Sequence, residues 1–306
     1  MLINVEKIKF LTLKMKKIRD NYEDICINYY GNLNNVKECW KSNKSDGYFN
    51  VVNSEKKYYF SLLNNIDDFL DIFKYLINKY DSIGNIIRYD FSLEDSYLQK
   101  KISIIDSLND ILNIYNNLNI KKINSSILNL ITKEKDILLN GLKFLEEYCD
   151  ANRNTMNEIV SVENDLREKF SKLDVITISV SDFKDYIFNN KEKHDEIVVD
   201  EGKIKTICRK LEFHLSEEQK LINDLNDIFI EMSDYYKSDN IDRVERMECE
   251  IILAMNNIRK NKMLNYQMLV KEITNIIQTR RDVKNILDGF SSNVYDNVDK
   301  LEGTDV

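Results

Sequence analysis

The chain contains no proline in 306 residues, and this absence restricts the folds that it can adopt. Proline breaks helix interiors and is frequent in the turns of β-rich and α/β proteins. There are also only seven glycines, so long helices with few connections are favoured. A hydrophobic content of 43% is sufficient for a core. The sequence therefore predicts an all-α fold.

Apolar residues recur at steps of three and four along the first 40 residues, which predicts one long amphipathic helix. Asn4 is placed to cap its start. A polar turn follows this stripe, and a second apolar stripe occupies residues 51–80. The first stripe consists of Ile8, Leu11, Met15, Ile18, Tyr22, Ile25, Tyr29, Leu33, Val36 and Trp40.

These two stripes predict an antiparallel helical hairpin at residues 1–85. It reverses at a turn that contains Trp40, Ser42 and Gly47. Trp40 has two interpretations that the sequence leaves open. Its ring covers the end of the hairpin while its N–H donates to a free carbonyl, or it is presented to a partner at the surface.

The hairpin pattern recurs at a constant offset, at which Trp40-Lys41-Ser42 corresponds to Tyr236-Lys237-Ser238. A second hairpin is therefore predicted at residues 199–280, with Tyr236 and Ser238 in its turn. Residues 92–190 are predicted to form long helices, with 175–180 as a strand-like linker, and residues 281–306 form a tail. The predicted architecture is an elongated bundle of long antiparallel hairpins with a tandem repeat.

Charge and hydropathy exclude several classes of partner. The 52 acidic and 44 basic residues are interleaved, with a net charge of -8, and nucleic-acid binding needs a basic stripe. The N-terminal segment lacks a continuous apolar region, and no window approaches 18 apolar residues, so neither a Sec signal peptide nor a membrane span is expected. Five cysteines without a CxxC spacing argue against a disulfide framework.

No pattern in the sequence indicates catalysis. His194 lies in a charged run, and Cys208 and His214 are spaced so that they do not share a helical face, which argues against a metal pair. Gly141 lacks the second glycine of a phosphate-binding loop. We therefore expect no enzyme activity, no cofactor and no metal site.

The first hairpin resembles the WXG proteins that the bacterial type VII secretion system exports. In that comparison the motif reads Trp40-Lys41-Ser42, with serine where the family usually has glycine, and Tyr236 replaces the tryptophan in the second unit. The LXG class is similar over residues 1–190, although such proteins usually carry a C-terminal toxin and none is evident after residue 200. Tyr295 and Asp299 match the Tyr-x-x-x-Asp/Glu export signal of these substrates.

The resemblance implies a non-enzymatic secretion substrate or targeting partner that acts through coiled-coil-like helix packing. It would be cytoplasmic before export and secreted without a Sec signal peptide. A small helical WXG-type protein or a second copy of the chain would bind the first stripe, and the secretion ATPase would bind Tyr295 and Asp299. The alternative is an intracellular, self-associating helical scaffold, and a third hypothesis is a hidden effector activity in residues 199–306. The predicted interface residues are Ile8, Leu11, Met15, Ile18, Ile25 and Val36.

Overall fold

The computed structural model describes residues 1–42, 44–89, 91–117, 125–180 and 198–302. Over these residues the chain forms α1 (Val5–Cys39), α2 (Ser45–Asp81), α3 (Phe91–Asn117), α4 (Ser125–Lys172), α5 (Glu201–Tyr235) and α6 (Ile241–Glu302). The short strands are β1 (Leu2–Asn4), β2 (Trp40–Lys41), β3 (Ile86–Arg88), β4 (Val198–Val199) and β5 (Tyr236–Lys237). The all-α prediction is confirmed, whereas the arrangement as tandem antiparallel hairpins stays a prediction.

The chain divides into two compact units, each assembled from distant segments. Unit 1 comprises Met1–Thr12, Phe69–Leu173 and Ile230–Glu245, and unit 2 comprises Leu13–Asp68, Asp174–Phe229 and Arg246–Val306. These bounds differ from the predicted consecutive segments because several long helices contribute residues to both units. Within the described residues, no helix combines the length and the hydropathy required to cross a membrane.

Unit 1 contains a three-stranded antiparallel sheet in the order β3-β1-β5. Ile3 in its central strand is completely buried. Aromatic side chains continue the core, because the ring of Phe73 lies 6.2 Å from that of Phe170 and 6.3 Å from that of Tyr236. The sheet and the aromatic cluster thus hold α2, α4 and the start of the chain together.

Unit 2 contains the β2–β4 pair and an irregular segment at residues 174–180. The segment was predicted as strand-like, but its backbone bonds to side-chain amides instead of to a strand. Asn65 donates to the carbonyl of Asp174 at 2.9 Å and accepts from the N–H of Ile176 at 3.0 Å. Asn257 donates to the carbonyl of Ile178 at 3.0 Å. Apolar burial and these amides together fix the segment against unit 2.

Equivalent local structure recurs at the offset that relates Trp40 to Tyr236. Asn4 and Asp200 each accept the N–H of the residue three positions later at 3.1 Å, which caps α1 and α5. Ser42 and Ser238 each accept the N–H of the residue two positions later, at 3.3 and 3.1 Å. The predicted cap at Asn4 is confirmed.

The strand registers follow the same offset. In unit 1, Ile3 lies opposite Tyr236, and in unit 2, Val199 lies opposite Trp40. The residue that begins each repeat thus pairs with the aromatic residue at the turn of the other repeat. This reciprocity explains why a two-residue strand begins at each of the two aromatic residues.

Candidate interaction surface

The residues predicted at the two turns are buried inside the chain. Trp40 is 1% exposed, and its ring lies 5.5 Å from that of Tyr48 and 6.1 Å from that of Phe49. Its Nε1 has no hydrogen-bond partner among the described residues. Trp40 is a packing residue, and the interpretation of a surface-presented ring is wrong.

The other turn residues occupy two different environments. Ser42 caps the entry to α2, and its carbonyl accepts the hydroxyl of Ser45 at 2.8 Å. Gly47 lies in the first turn of α2 and not in the connection, because the helix already begins at Ser45. Tyr236 is completely buried, and Ser238 caps the entry to α6.

The stripe predicted as a partner interface is covered by the chain itself. Five of its six residues are at most 8% exposed, and Ile25 is half-buried. A protein that docks on the folded chain therefore does not meet their apolar surface. The buried residues are Ile8, Leu11, Met15, Ile18 and Val36.

The predicted export signal lies near the end of α6. Tyr295 and Asp299 belong to the helical backbone, and their side chains lie outside those that the structure describes. Every residue from 279 to 289 is exposed, including the apolar Val283, Ile286 and Leu287. This part of α6 therefore presents an accessible helix.

Helices α3 and α4 pair in antiparallel orientation in unit 1. Tyr115, near the end of α3, donates to Glu134 in the first third of α4 at 2.8 Å. Lys101, in the first half of α3, lies over the ring of Tyr148 farther along α4, 3.7 Å from its centroid. Leu112 on α3 and Cys149 on α4 are buried.

A second set of apolar residues on α3 and α4 stays exposed, at fractions between 41% and 69%. Each member directly precedes a residue that is buried or half-buried, as Ile111 precedes Leu112. Successive residues of an α-helix are rotated by about 100° around its axis. In two antiparallel helices, the residues that precede the contact positions therefore lie on the same side of the pair. We call this set the α3/α4 apolar face: Ile104, Ile111, Ile114, Ile127, Leu130, Ile137, Phe144 and Tyr148.

The α3/α4 apolar face is large enough for a specific protein interface. At about 100 Å² each, its eight side chains expose on the order of 800 Å², which equals one side of a standard interface. Monomeric proteins seldom leave such a patch uncovered unless it binds something. Its spacing of three, four and seven residues is typical of helix-on-helix contacts.

Unit 2 encloses an ion pair that the sequence does not reveal. Nζ of Lys262 lies 2.8 Å from a carboxylate oxygen of Glu218 and 2.8 Å from Sγ of Cys26. The three side chains are 0 to 1% exposed. Four tyrosine rings surround the ammonium, with centroids 5.4 to 5.8 Å from Nζ: Tyr22, Tyr29, Tyr30 and Tyr59.

Burial dominates the electrostatics of this cluster. It raises the pKa of the Cys26 thiol to about 12, although Lys262 acts in the opposite direction. Burial lowers the pKa of Lys262, but Cys26 and Glu218 outweigh that effect and raise it above its usual value. Burial also raises the pKa of Glu55 to about 7, although the charge of Lys262 acts in the opposite direction. Neither oxygen of Glu55 meets a hydrogen-bond partner within the described part of the chain.

A second buried carboxyl stabilises unit 1. Glu163 on α4 accepts the hydroxyl of Tyr80, and its other oxygen accepts the amide of Asn240 at 2.8 Å. Burial raises the pKa of Glu163, while hydrogen bonds from Tyr80, Ser238 and Asn240 lower it. These bonds tie α4 to the turn before α6, which is a structural function.

Two further polar features lie in the described part of the chain, at His214 and in a groove beside α5. Nε2 of His214 lies 3.2 Å from the amide of Asn32, burial lowers the pKa of His214, and His194 lies outside the described residues. A groove of about 450 Å³ between α5 and α6 contains Tyr266, which donates to Glu212 at 2.5 Å. No group of three metal-ligating side chains comes together in the part of the chain that the structure describes.

Comparisons with protein-family models, with curated proteins and with solved structures find no match to this chain.

Proposed function

We propose that the protein is a non-enzymatic substrate or targeting partner of type VII secretion that acts through helix–helix interaction. The observation that carries the proposal is the α3/α4 apolar face, since an exposed apolar stripe at helical spacing fits an amphipathic helix of a partner. The partner is a small helical protein with its own stripe at steps of three and four. This interface replaces the buried stripe of α1 that the sequence indicated.

The exposed end of α6 supports the second part of the proposal. An address that an export ATPase reads needs to be accessible, and residues 279–289 lead towards the Tyr295 and Asp299 motif without burial. The acidic net charge of -8 and the interleaved charges agree with a protein partner rather than a nucleic acid.

The test is an export experiment in a host with a type VII system. The culture medium and the cell pellet are compared for the full chain and for a chain that ends after Ser292, with and without the secretion ATPase. We expect the full chain in the medium when the ATPase is present, and retention of the truncated chain. Retention of both chains in the presence of the ATPase would refute the proposal.

A pair of variants tests the α3/α4 apolar face separately. Ile137→Glu introduces a charge at a position that is 69% exposed. Thr132→Glu introduces the same charge at an exposed position about 140° away around α4. Covering a charge in an apolar interface weakens binding by at least about tenfold. We expect Ile137→Glu to reduce export and Thr132→Glu to leave it unchanged.

A self-associating scaffold is the alternative function, and the same face favours it if a second copy covers it. In that case the purified chain is a dimer by light scattering, Ile137→Glu converts it to a monomer, and the chain stays in the cell. A monomeric purified chain that is exported only with an intact α3/α4 apolar face distinguishes secretion from the scaffold.

A further inference from the structure

Cys26 and Lys262 bring two oxidisable atoms together in a buried cluster of unit 2. Sγ and Nζ are 2.8 Å apart, although the residues lie far apart in the sequence on α1 and α6. Two single bonds of about 1.5 Å that meet at a bent oxygen atom hold their outer atoms roughly 2.5 Å apart. Sγ and Nζ are in hydrogen-bond contact at 2.8 Å, so a shift of a few tenths of an ångström brings them to the span of one bridging oxygen.

We propose that Cys26 and Lys262 form an oxidative cross-link in which one oxygen atom joins Sγ to Nζ. The oxidant is dioxygen, a small apolar molecule that enters protein interiors without a charged path. The cross-link is a modification site, and it does not depend on the proposed function in secretion.

Glu218 completes the reaction because its carboxylate lies 2.8 Å from Nζ. It accepts one proton from the ammonium, which leaves a neutral amine. Sulfur and nitrogen then each lose one hydrogen and two electrons, and dioxygen gains four electrons. One oxygen atom forms the S–O and O–N bonds, and the other leaves as water with the two hydrogens.

The surroundings favour this product over further oxidation of sulfur. A sulfur that carries one oxygen normally continues to the sulfinic and sulfonic acids or reacts with a nearby thiol or nitrogen. Here both side chains are completely buried, and Nζ of Lys262 lies 2.8 Å from the sulfur. The reaction also converts a buried ion pair into neutral groups, which removes the cost of keeping two charges away from water.

The test uses the full chain, purified without oxygen and in the presence of a reductant. One half is incubated in oxygen-saturated buffer, and both halves are digested with trypsin under non-reducing conditions. We expect loss of cleavage after Lys262, and a joined peptide pair about 14 Da heavier than the sum of its two parts, from one oxygen gained and two hydrogens lost. A reductant should restore the separate peptides.

Three controls make the result specific to the folded geometry. The chain unfolded in urea has the same residues without their proximity, so it should not form the pair. Cys26→Ser should abolish the pair, and Cys249→Ser, which changes an exposed cysteine, should retain it. The measurement on the unaltered chain remains decisive even if a variant does not fold.

Several outcomes would overturn the proposal. One is oxidation of Cys249 in the oxygen-treated chain while the peptide of Cys26 is unchanged. Another is a sulfinic acid at Cys26 with normal cleavage after Lys262. A joined pair that lacks the additional oxygen would exclude the bridge, because sulfur and nitrogen would then be bonded directly.

Discussion

Replacing Glu218 with glutamine should destabilise the chain strongly, by an amount that depends on pH. The change leaves the ammonium of Lys262 buried without its counter-charge, and breaking a buried pair in this way costs about 3–5 kcal/mol. The variant can instead fold with Lys262 neutral, which costs about 1.36 kcal/mol for each unit between its usual pKa and the working pH. At pH 7 the free-energy cost of keeping Lys262 neutral is about 4.6 kcal/mol, which agrees with the cost of a broken buried pair.

The sign of the pH dependence follows from folding of the variant with Lys262 neutral. In the variant the folded-state pKa of Lys262 falls below its unfolded value, so the unfolded chain binds more protons and stability rises with pH. Relative to the unaltered chain, the variant should regain about 2.7 kcal/mol between pH 7 and pH 9. The neighbouring Glu217, whose partner Lys220 is 65% exposed, provides the control, and Glu217→Gln should cost at most about 0.5 kcal/mol.

The assay is urea unfolding followed by circular dichroism at both pH values, with a reductant present. A double variant, Glu218→Leu with Lys262→Met, should be within about 2 kcal/mol of the unaltered chain, because neither charge remains in the core. A loss below about 1 kcal/mol for Glu218→Gln would show that the ammonium is solvated in the variant, and an equal loss at pH 7 and pH 9 would show that Lys262 stays charged there. Either result would refute the reasoning.

Other predictions follow from single buried groups. The pKa of Glu55, about 7, is raised by burial, so the folded chain retains a proton that the unfolded chain has released. Stability should therefore fall between about pH 5 and 8 by on the order of 3 kcal/mol relative to Glu55→Gln, as urea unfolding would measure. Trp40→Ala should cost about 3–5 kcal/mol, and Trp40→Phe distinctly less, because Nε1 makes no hydrogen bond with the described residues. The fluorescence of Trp40 itself reports the unfolding of the unaltered chain. Asn65→Ala should cost about 1–3 kcal/mol and should accelerate hydrogen exchange at the amide of Ile176, which bonds to Asn65.

The all-α fold could be predicted from the sequence because helix periodicity and the absence of proline are local signals. The cap at Asn4 is equally local. The assignment of residues to compact units was not accessible, because it depends on which segments meet across the chain. The structure of residues 175–180 was equally inaccessible from the sequence. Their β-branched composition does not reveal that the side chains of Asn65 and Asn257 form hydrogen bonds with their backbone.

The buried charges could not have been predicted from the sequence. Lys262 is one of 44 basic residues and Glu218 one of 52 acidic residues, and no spacing distinguishes either from a solvated side chain. Their significance arises when α1, α5 and α6 bring them within 2.8 Å of one another or of Cys26. Burial at these positions is a tertiary property.

The apolar stripe of α1 is buried, whereas a similar stripe on α3 and α4 is exposed, because different numbers of helices are available to cover them. Residues of α1, α2, α5 and α6 belong to unit 2, so a stripe such as that of Met15 and Ile18 is enclosed by the chain itself. When two helices pack together, each covers one apolar stripe of the other. Both α3 and α4 have a second stripe of apolar residues, which stays exposed. Burying this second stripe requires a further helix. Under the proposed function, the exposed stripe of α3 and α4 is a surface on which a helical partner would add apolar burial without unfolding the chain.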